Sequence, residues 1–307
     1  MKQLYYSLPQ YLKDTFGRKL YKVALETGMT CPNRDGKVAV GGCIFCGEGG
    51  SGDFAIYYEG KRLSREELIY NHQEIPKGDY IAYFQSFTNT YAPTSKLREI
   101  FTAALEDDLF AGISIATRPD CLGKDVIELL KELKEKYINK FIWVELGLQT
   151  IHESTAKWMN RGYPLEVFDE AIKNLNSINI EVIVHIIIGL PGEDQKMLLE
   201  TIQHLNACQI DGVKLQLLHY LKNTRLGVQY LSNPSQYHVL EMDEYVELVT
   251  ECIAHLDEHI VIHRLTGDGN AEDLIAPLWS TDKRRVLNLI NHMLKIKSYT
   301  QGCKLSK

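Results

Sequence analysis

Long apolar runs are missing from this 307-residue chain, and none approaches the roughly 20 residues that a membrane-spanning helix needs. The N-terminus MKQLYYSLPQYLKDTFGRKL carries charges and aromatics but no continuous apolar segment of the secretory kind. Internal repeats and low-complexity stretches are absent too, which argues against solenoid and disordered architectures. The seven cysteines are odd in number and show no even spacing, so a disulfide framework is not expected. A reducing cytoplasm is, where clustered cysteines bind metal or do chemistry. Excess positive charge is lacking as well: the formal net charge is -6, which removes any whole-protein attraction to nucleic acid. What remains, 45% apolar and 24% charged residues, is ordinary for a chain that buries a core.

Six β-rich apolar segments alternate with amphipathic helical ones. The strand candidates are 19–27, 79–87, 111–117, 140–148, 180–189 and 212–220, several of them near-continuous apolar runs of the kind found in parallel sheets covered on both faces. Helical patterns with apolar residues three and four apart lie between them, one opened by the capping box Ser64-x-x-Glu67. Such alternation predicts an α/β fold with right-handed crossovers, as a doubly wound sheet or a partial barrel, and a ligand site at the carboxyl ends of the strands. After residue 226 the pattern changes to a loop, a helix, a short strand (IVIHRL), a Gly-rich loop and a closing helix. The expected division is a basic N-terminal segment (1–18), a core (19–226) and a C-terminal α/β extension (227–307).

The densest chemical signal is TCPNRDGKVAVGGCIFCGEGG, which places Cys31, Cys43 and Cys46 in a C-x11-C-x2-C array just past the first strand. Gly36, Gly41 and Gly42 let this loop curl back on itself, and Phe45 offers an apolar wall. A closed zinc site wants four ligands, and the nearest spare candidates, His72 and Cys121, lie in other segments. A cubane [4Fe–4S] cluster normally takes four cysteines, so three leave one iron open to a small molecule.

Three cysteines ending in C-x2-C, with an aromatic before the last, after the first strand of a six-fold β/α array, resemble the radical S-adenosylmethionine (SAM) superfamily. The stretched first gap resembles the Elongator catalytic-subunit branch and the YtqA/YhcC subgroup; the common spacing is C-x3-C-x2-C. The resemblance implies a partial (β/α)6 radical SAM barrel with a C-terminal α/β extension. It also implies a [4Fe–4S] cluster on Cys31, Cys43 and Cys46 whose open iron chelates SAM. The reduced cluster passes an electron to the sulfonium, and the resulting 5′-deoxyadenosyl radical abstracts hydrogen from the substrate.

Further positions follow from the same resemblance. Where the family has a GGE-like turn, this chain has FQSFTNTYAP, whose Gln85 and Asn89 offer polar groups in place of glycines. The third strand ends in ATRPDCL, where Arg118 has either a SAM carboxylate or Asp120 as partner. Glu145 in the fourth strand suits ribose hydroxyls, since a buried carboxylate needs a partner. Gln149, with Arg161 twelve residues later in NRGYP, matches a family pair. His185 in the fifth strand stands where the family has a polar residue facing ribose or adenine, and GLPGE (189–193) resembles the adenine-side turn. Arg264, Gly267, Asp268 and Gly269 fall in a C-terminal loop similar to that of the YtqA/YhcC subgroup.

The superfamily settles the radical but not its target. Elongator-like relatives act on wobble uridine of tRNA, but with an acetyltransferase domain for which this chain has no room. The YtqA branch implies removal of the carboxymethyl part of a carboxymethylaminomethyl group, leaving aminomethyl. The tail from Asp282 onward holds seven Lys or Arg against that one Asp, and the first 22 residues hold five against Asp14. If the two ends share a face they provide phosphate contacts, and Tyr5, Tyr6, Tyr11, Tyr57, Tyr58 and Tyr91 are stacking candidates. The expected partners are tRNA and a reductant such as flavodoxin or ferredoxin. The alternatives are a radical SAM enzyme acting on a small molecule or peptide, and a zinc-stabilised binding protein.

Overall fold

The computed structural model describes residues 3–47, 49–50, 55–61, 63, 79–267 and 271–305. The helix expected over 64–75 with its Ser64–Glu67 capping box, His72, Asp268 and Gly269 lie outside the described residues.

The chain opens with helix α1 (Leu8–Phe16), which leads into strand β1 (Leu20–Glu26). Strands β2 (Ile56–Tyr57) and β3 (Asp79–Phe84), helix α2 (Thr94–Glu106) and strand β4 (Phe110–Thr117) follow. Then come α3 (Lys124–Lys136), β5 (Phe141–Gln149), α4 (Glu153–Trp158), α5 (Leu165–Ser177), β6 (Glu181–Ile188), α6 (Gln195–Ala207) and β7 (Gly212–Leu217). The remainder comprises β8 (Tyr220–Leu221), α7 (Arg225–Ser232), α8 (Met242–His255), β9 (Val261–Arg264), β10 (Leu274–Ala276) and α9 (Lys283–Ile296). Eight strands form one parallel sheet in the order β2-β1-β3-β4-β5-β6-β7-β9, while β8 and β10 pair antiparallel on their own. Among the described residues the sheet does not close into a barrel. Its eighth strand, β9, comes from the C-terminal region, so that region extends the sheet as well as packing on it. No helix among the described residues is long and apolar enough to cross a membrane.

The alternation along each strand explains both the core and the site. In β5, Val144, Leu146 and Leu148 join the main hydrophobic cluster beneath the helices, whereas Glu145 bonds Ser114 of β4 and His185 of β6 on the other face. Period-2 geometry requires this separation. The helices of the β/α units cover one face, and the other surrounds an interior that is polar at mid-height. Helix α2 shows the covering side: Leu97, Ile100, Phe101, Ala104 and Leu105 recur at helical spacing and are buried against the sheet. A fully buried Leu or Phe of this kind contributes roughly 1.5–3 kcal/mol.

Helix α1 plugs the amino ends of the strands. Leu12 packs with Leu20, Ile81, Trp143 and Ile183 in a separate apolar cluster, and the Tyr11 hydroxyl donates to Glu181 Oε1 at 2.7 Å. The N-terminal segment therefore lies at the end of the sheet opposite the strands' carboxyl ends. Lys22, counted by sequence among the terminal basic residues, is an interior strand residue paired with Glu145.

Candidate active site

The cysteine loop follows β1 and is tied down from two other parts of the chain. Gly36, Gly41 and Gly42 adopt φ of 94°, 79° and 76°, the left-handed region that glycine enters without strain. Gly42 N–H donates to Asn33 O at 2.7 Å and Cys46 N–H to Cys43 O at 3.1 Å. From the turn after α4, Met159 O accepts Ile44 N–H at 3.0 Å. Asn160 Nδ2 donates to Gly42 O at 2.8 Å, and Asn33 Nδ2 donates to Asn160 O at 2.5 Å. From α7, Leu226 N–H reaches Ile44 O at 2.8 Å, and the Arg225 guanidinium donates to Gly42 O. Gly162 has φ of 83°, and a Cβ there would stand 2.5 Å from Asn33 Oδ1, so this close approach requires glycine.

Cys31, Cys43 and Cys46 all line a cavity of about 580 Å³ over the interior of the sheet, within the roughly 300–1,000 Å³ usual for small-molecule sites. A hydrogen bond from Cys46, opposed by burial and helped by Arg118 and Asn33, lowers the Cys43 thiol to about 7. The same contact, with burial, raises Cys46 well above the ordinary thiol range. Cys43 is thus the readier thiolate, the form that binds metal. Among the described residues, the group whose ligand atoms all stand within 4.8 Å of one another is Asp169, His204 and Cys208; the trio is more widely spread. Sulfurs around one tetrahedral zinc stand about 3.8 Å apart, given Zn–S bonds of about 2.3 Å. Three cysteines that each bind a different iron of a cubane need no such crowding, so the donor set fits a cluster with one iron left open. Cys121 does not line the cavity, and burial and Asp120 push its thiol up to about 12.

Below the cysteines the cavity has a polar floor. Glu145 is fully buried, and its carboxylate accepts from Lys22 Nζ at 2.6 Å, His185 Nε2 at 2.7 Å and Ser114 Oγ at 2.7 Å, and from Lys214 Nζ. Burial opposes ionisation of Glu145, but Lys214, Lys22 and His185 together hold it well below the usual carboxylate range. Burial depresses Lys214 to about 7, Glu145 pulling it up and Lys22 and Arg264 pulling it down. Burial and Lys214 bring His185 down to about 4 despite its bond to Glu145, so the imidazole is neutral near pH 7. The Tyr83 ring is flanked by both ammonium groups, each 4.6 Å from its centroid.

The structure gathers eight of the nine sequence-predicted site residues on this cavity: the three cysteines, Gln85, Glu145, Gln149, Arg161 and His185. They differ in what they have left to offer. Arg161, 1% exposed, donates to the carbonyls of Leu148, Thr150 and Tyr163 and to Glu153 Oε1, clamping the end of β5 to the turn that braces the cysteines. Asn89 is not among the lining residues; its amide donates to Ser86 O and Ala116 O and holds the loop after β3. Gln149 sits on the wall with φ of 65°, unusual for a residue with a side chain. Of the two partners open to Arg118, the structure has Asp120, in a two-bond fork of 2.8 and 2.7 Å. Lys22, Lys214, Ser114 and Tyr83 were missed by sequence reasoning. The available signal was two lysines inside apolar strands, complementary to Glu145 in the middle of another. The tyrosines proposed for stacking do not line the cavity; among the described residues its Phe and Tyr side chains are Phe45, Tyr83, Phe87 and Tyr163. The two ends of the chain meet, Gln301 N–H donating to Leu4 O at 2.9 Å and Tyr6 N–H to Gln301 Oε1 at 2.8 Å, but α1 lies at the strands' amino ends whereas Lys283 at the start of α9 reaches the cavity. Farther along the tail, Lys297 and Lys304 pair with Glu251 of α8.

The chain matches two family profiles, the Radical SAM superfamily over residues 26–205 and the Radical_SAM C-terminal domain over 210–295. It is 44% identical to YtqA of Bacillus subtilis (strain 168) over 97% of this chain and 92% of that protein. It is 32% identical to YhcC of Escherichia coli (strain K12) over 89% and 86%. Elongator complex protein 3 of Schizosaccharomyces pombe is 24% identical over 84% of this chain but 56% of its own length. The fold is similar to that of Methanocaldococcus infernus Elp3, with a TM-score of 0.66 at 15% identity, spanning 92% of this chain and 64% of that one.

Proposed function

This chain belongs to the radical SAM superfamily, and from that premise we propose that it modifies the 5-substituent of wobble uridine in tRNA, converting carboxymethylaminomethyl to aminomethyl. Its cofactors are a [4Fe–4S] cluster and SAM, as in the superfamily. When bound, they would supply a 5′-deoxyadenosyl radical, formed on one-electron reduction by a flavodoxin- or ferredoxin-type donor, that takes hydrogen from the carboxymethyl methylene beside the nitrogen; with one further electron returned to the cluster and a proton lost, the resulting imine would take up water and split into the aminomethyl product and glyoxylate. Cys31, Cys43 and Cys46 hold the cluster in this reading. Gln85, Gln149 and His185 on the cavity wall contact SAM, while Glu145, Arg161 and Asn89 position them from behind. Neutral His185, its Nε2–H committed to Glu145, has Nδ1 as an acceptor. Phe45 and Phe87 restrict water at the cluster side.

One observation carries the tRNA reading. Lys283, Arg284 and Arg285 occupy the first turn of α9 as three consecutive exposed cations, with Lys283 on the cavity. The positive end of a helix dipole disfavours cations there, and contacts to the phosphates of an RNA approaching the cavity would offset that cost. The likeness to the Elongator catalytic-subunit branch supports the same substrate. The test is mass spectrometry of tRNA nucleosides from cells with and without the gene. Carboxymethylaminomethyluridine should accumulate in the deletion and fall on complementation by wild type but not by Cys43→Ala. An unchanged nucleoside profile sinks the reading.

A further inference from the structure

The interior layer that floors the cavity is unusual for a β/α array, where bulky branched side chains normally fill this space. Lys22 of β1, Tyr83 of β3, Ser114 of β4, Glu145 of β5, His185 of β6 and Lys214 of β7 meet there instead. The apolar plug of Leu12, Trp143 and Ile183 lies beneath the strands' amino ends, so the polar layer is not needed to seal the interior. Its charges do not balance. Among the described residues two lysines face one carboxylate, and Lys214 is only 2% exposed. A surplus ammonium in such a layer is costly unless a partner arrives. An ammonium has three N–H donors. Lys214 spends two, on Glu145 and on the Tyr83 hydroxyl at 3.1 Å, and it lines the cavity. The third donor is available to a ligand.

Resting on the wobble-uridine reading, we propose that this floor is a carboxylate-recognition site in which Lys214, backed by Lys22, binds the terminal carboxylate of the substrate's carboxymethylaminomethyl group. Lys22 and Glu145 act as positioning residues. Lys22 occupies one carboxylate oxygen of Glu145 while Lys214 and His185 share the other, so Glu145 is already fully subscribed before the ligand's anion enters. A neutral or aminomethyl terminus leaves the layer with its uncompensated ammonium. The site therefore holds the carboxylate form and releases the aminomethyl product.

SAM also carries a carboxylate, and the experiment separates the two sources. Anaerobic cluster-loaded protein is titrated calorimetrically with 5-carboxymethylaminomethyluridine monophosphate, its methyl ester, N-benzylglycine, N-benzylglycine methyl ester and SAM. The wild type should prefer each free acid over its ester by about tenfold or more, as a charge-assisted bond in a dry site does. Lys214→Met should erase that preference, and Lys214→Arg, which keeps the charge, should restore most of it. Equal affinity of the wild type for acid and ester overturns the proposal. So does a Lys214→Met protein that loses SAM affinity but keeps the acid preference, because the floor then serves the methionyl carboxylate. A Lys214-dependent acid preference for N-benzylglycine together with unchanged tRNA nucleosides in the deletion strain upholds the floor while refuting the wobble-uridine reading.

Discussion

Replacing Glu145 with Gln keeps the side chain's shape and removes the one anion of the cavity floor. In the wild type that carboxylate accepts from Lys22, Lys214, His185 and Ser114. Removing one partner of a buried ion pair typically costs about 3–5 kcal/mol, because a charge is left uncompensated in the interior. At about 2.1 cal/mol/K of unfolding entropy per residue, a chain of 307 residues melts about 5–8 °C lower for that loss. The deficit should depend on pH with a definite sign. Lys214 has its folded pKa lowered to about 7. Glu145 raises the Lys214 pKa, so in Glu145→Gln that lysine sheds its proton at a lower pH still and the variant gains stability with rising pH before the wild type does; the gap therefore narrows as pH rises toward 7 and is level above it. Adding Lys214→Met to Glu145→Gln should recover part of the loss, with a coupling of about 0.5–3 kcal/mol. The assay is anaerobic differential scanning of the cluster-loaded proteins at matched scan rates. A Glu145→Gln protein that melts within about 1 °C of wild type at pH 6.5 refutes the view that the floor is a charged network.

Three further outcomes are expected. Cys31→Ala, Cys43→Ala and Cys46→Ala should each lose the iron, about four atoms per chain, that Cys208→Ala and Cys303→Ala retain; iron and sulfide analysis after anaerobic reconstitution decides, and a Cys303→Ala loss equal to that of Cys43→Ala would overturn the ligand assignment. Reversal of Lys283, Arg284 and Arg285 to Glu should weaken tRNA binding and flatten its salt dependence by about 2–3 in the log–log slope, measured by filter binding across a salt series; an unchanged slope removes α9 from the interface. Affinity for the acid probes should be steady below pH 7 and fall about tenfold per unit above it, since the anion needs protonated Lys214 and one proton is linked to binding. Of the groups facing Lys214, namely Lys22, Tyr83, Glu145, His185, His263 and Arg264, Glu145, His185 and His263 titrate below that window, and Lys214→Arg should move the fall to higher pH.

Much of the molecule was legible along the chain. The six strand candidates all fall on strands, because runs such as IEVIVHIII carry enough apolar surface for the pattern to be unmistakable. The cysteine loop was legible for a similar reason: thiols three residues apart, with glycines that permit the turn, are a local arrangement that needs no distant partner to be recognised. Both faces of the strands are buried as expected, but reading both as apolar was less accurate. The helix-covered face follows from hydrophobicity, but Ser114, Glu145, His185 and Lys214 show that the interior face is polar at mid-height.

Order along the chain and residue type thus determined the β/α array and the thiol trio, since propensity, periodicity and short spacings act over a few residues. Only the tertiary structure decided which side chains share the floor, that Arg118 turns to Asp120, that Arg161 clamps backbone, and that one basic end reaches the cavity while the other plugs the opposite end of the strands. Lys22 and Glu145 lie 123 positions apart in sequence, and no local rule relates them. Their attraction exists because parallel pairing sets β1, β3, β4 and β5 side by side, and because burial makes a charge seek whichever partner the register brings within reach.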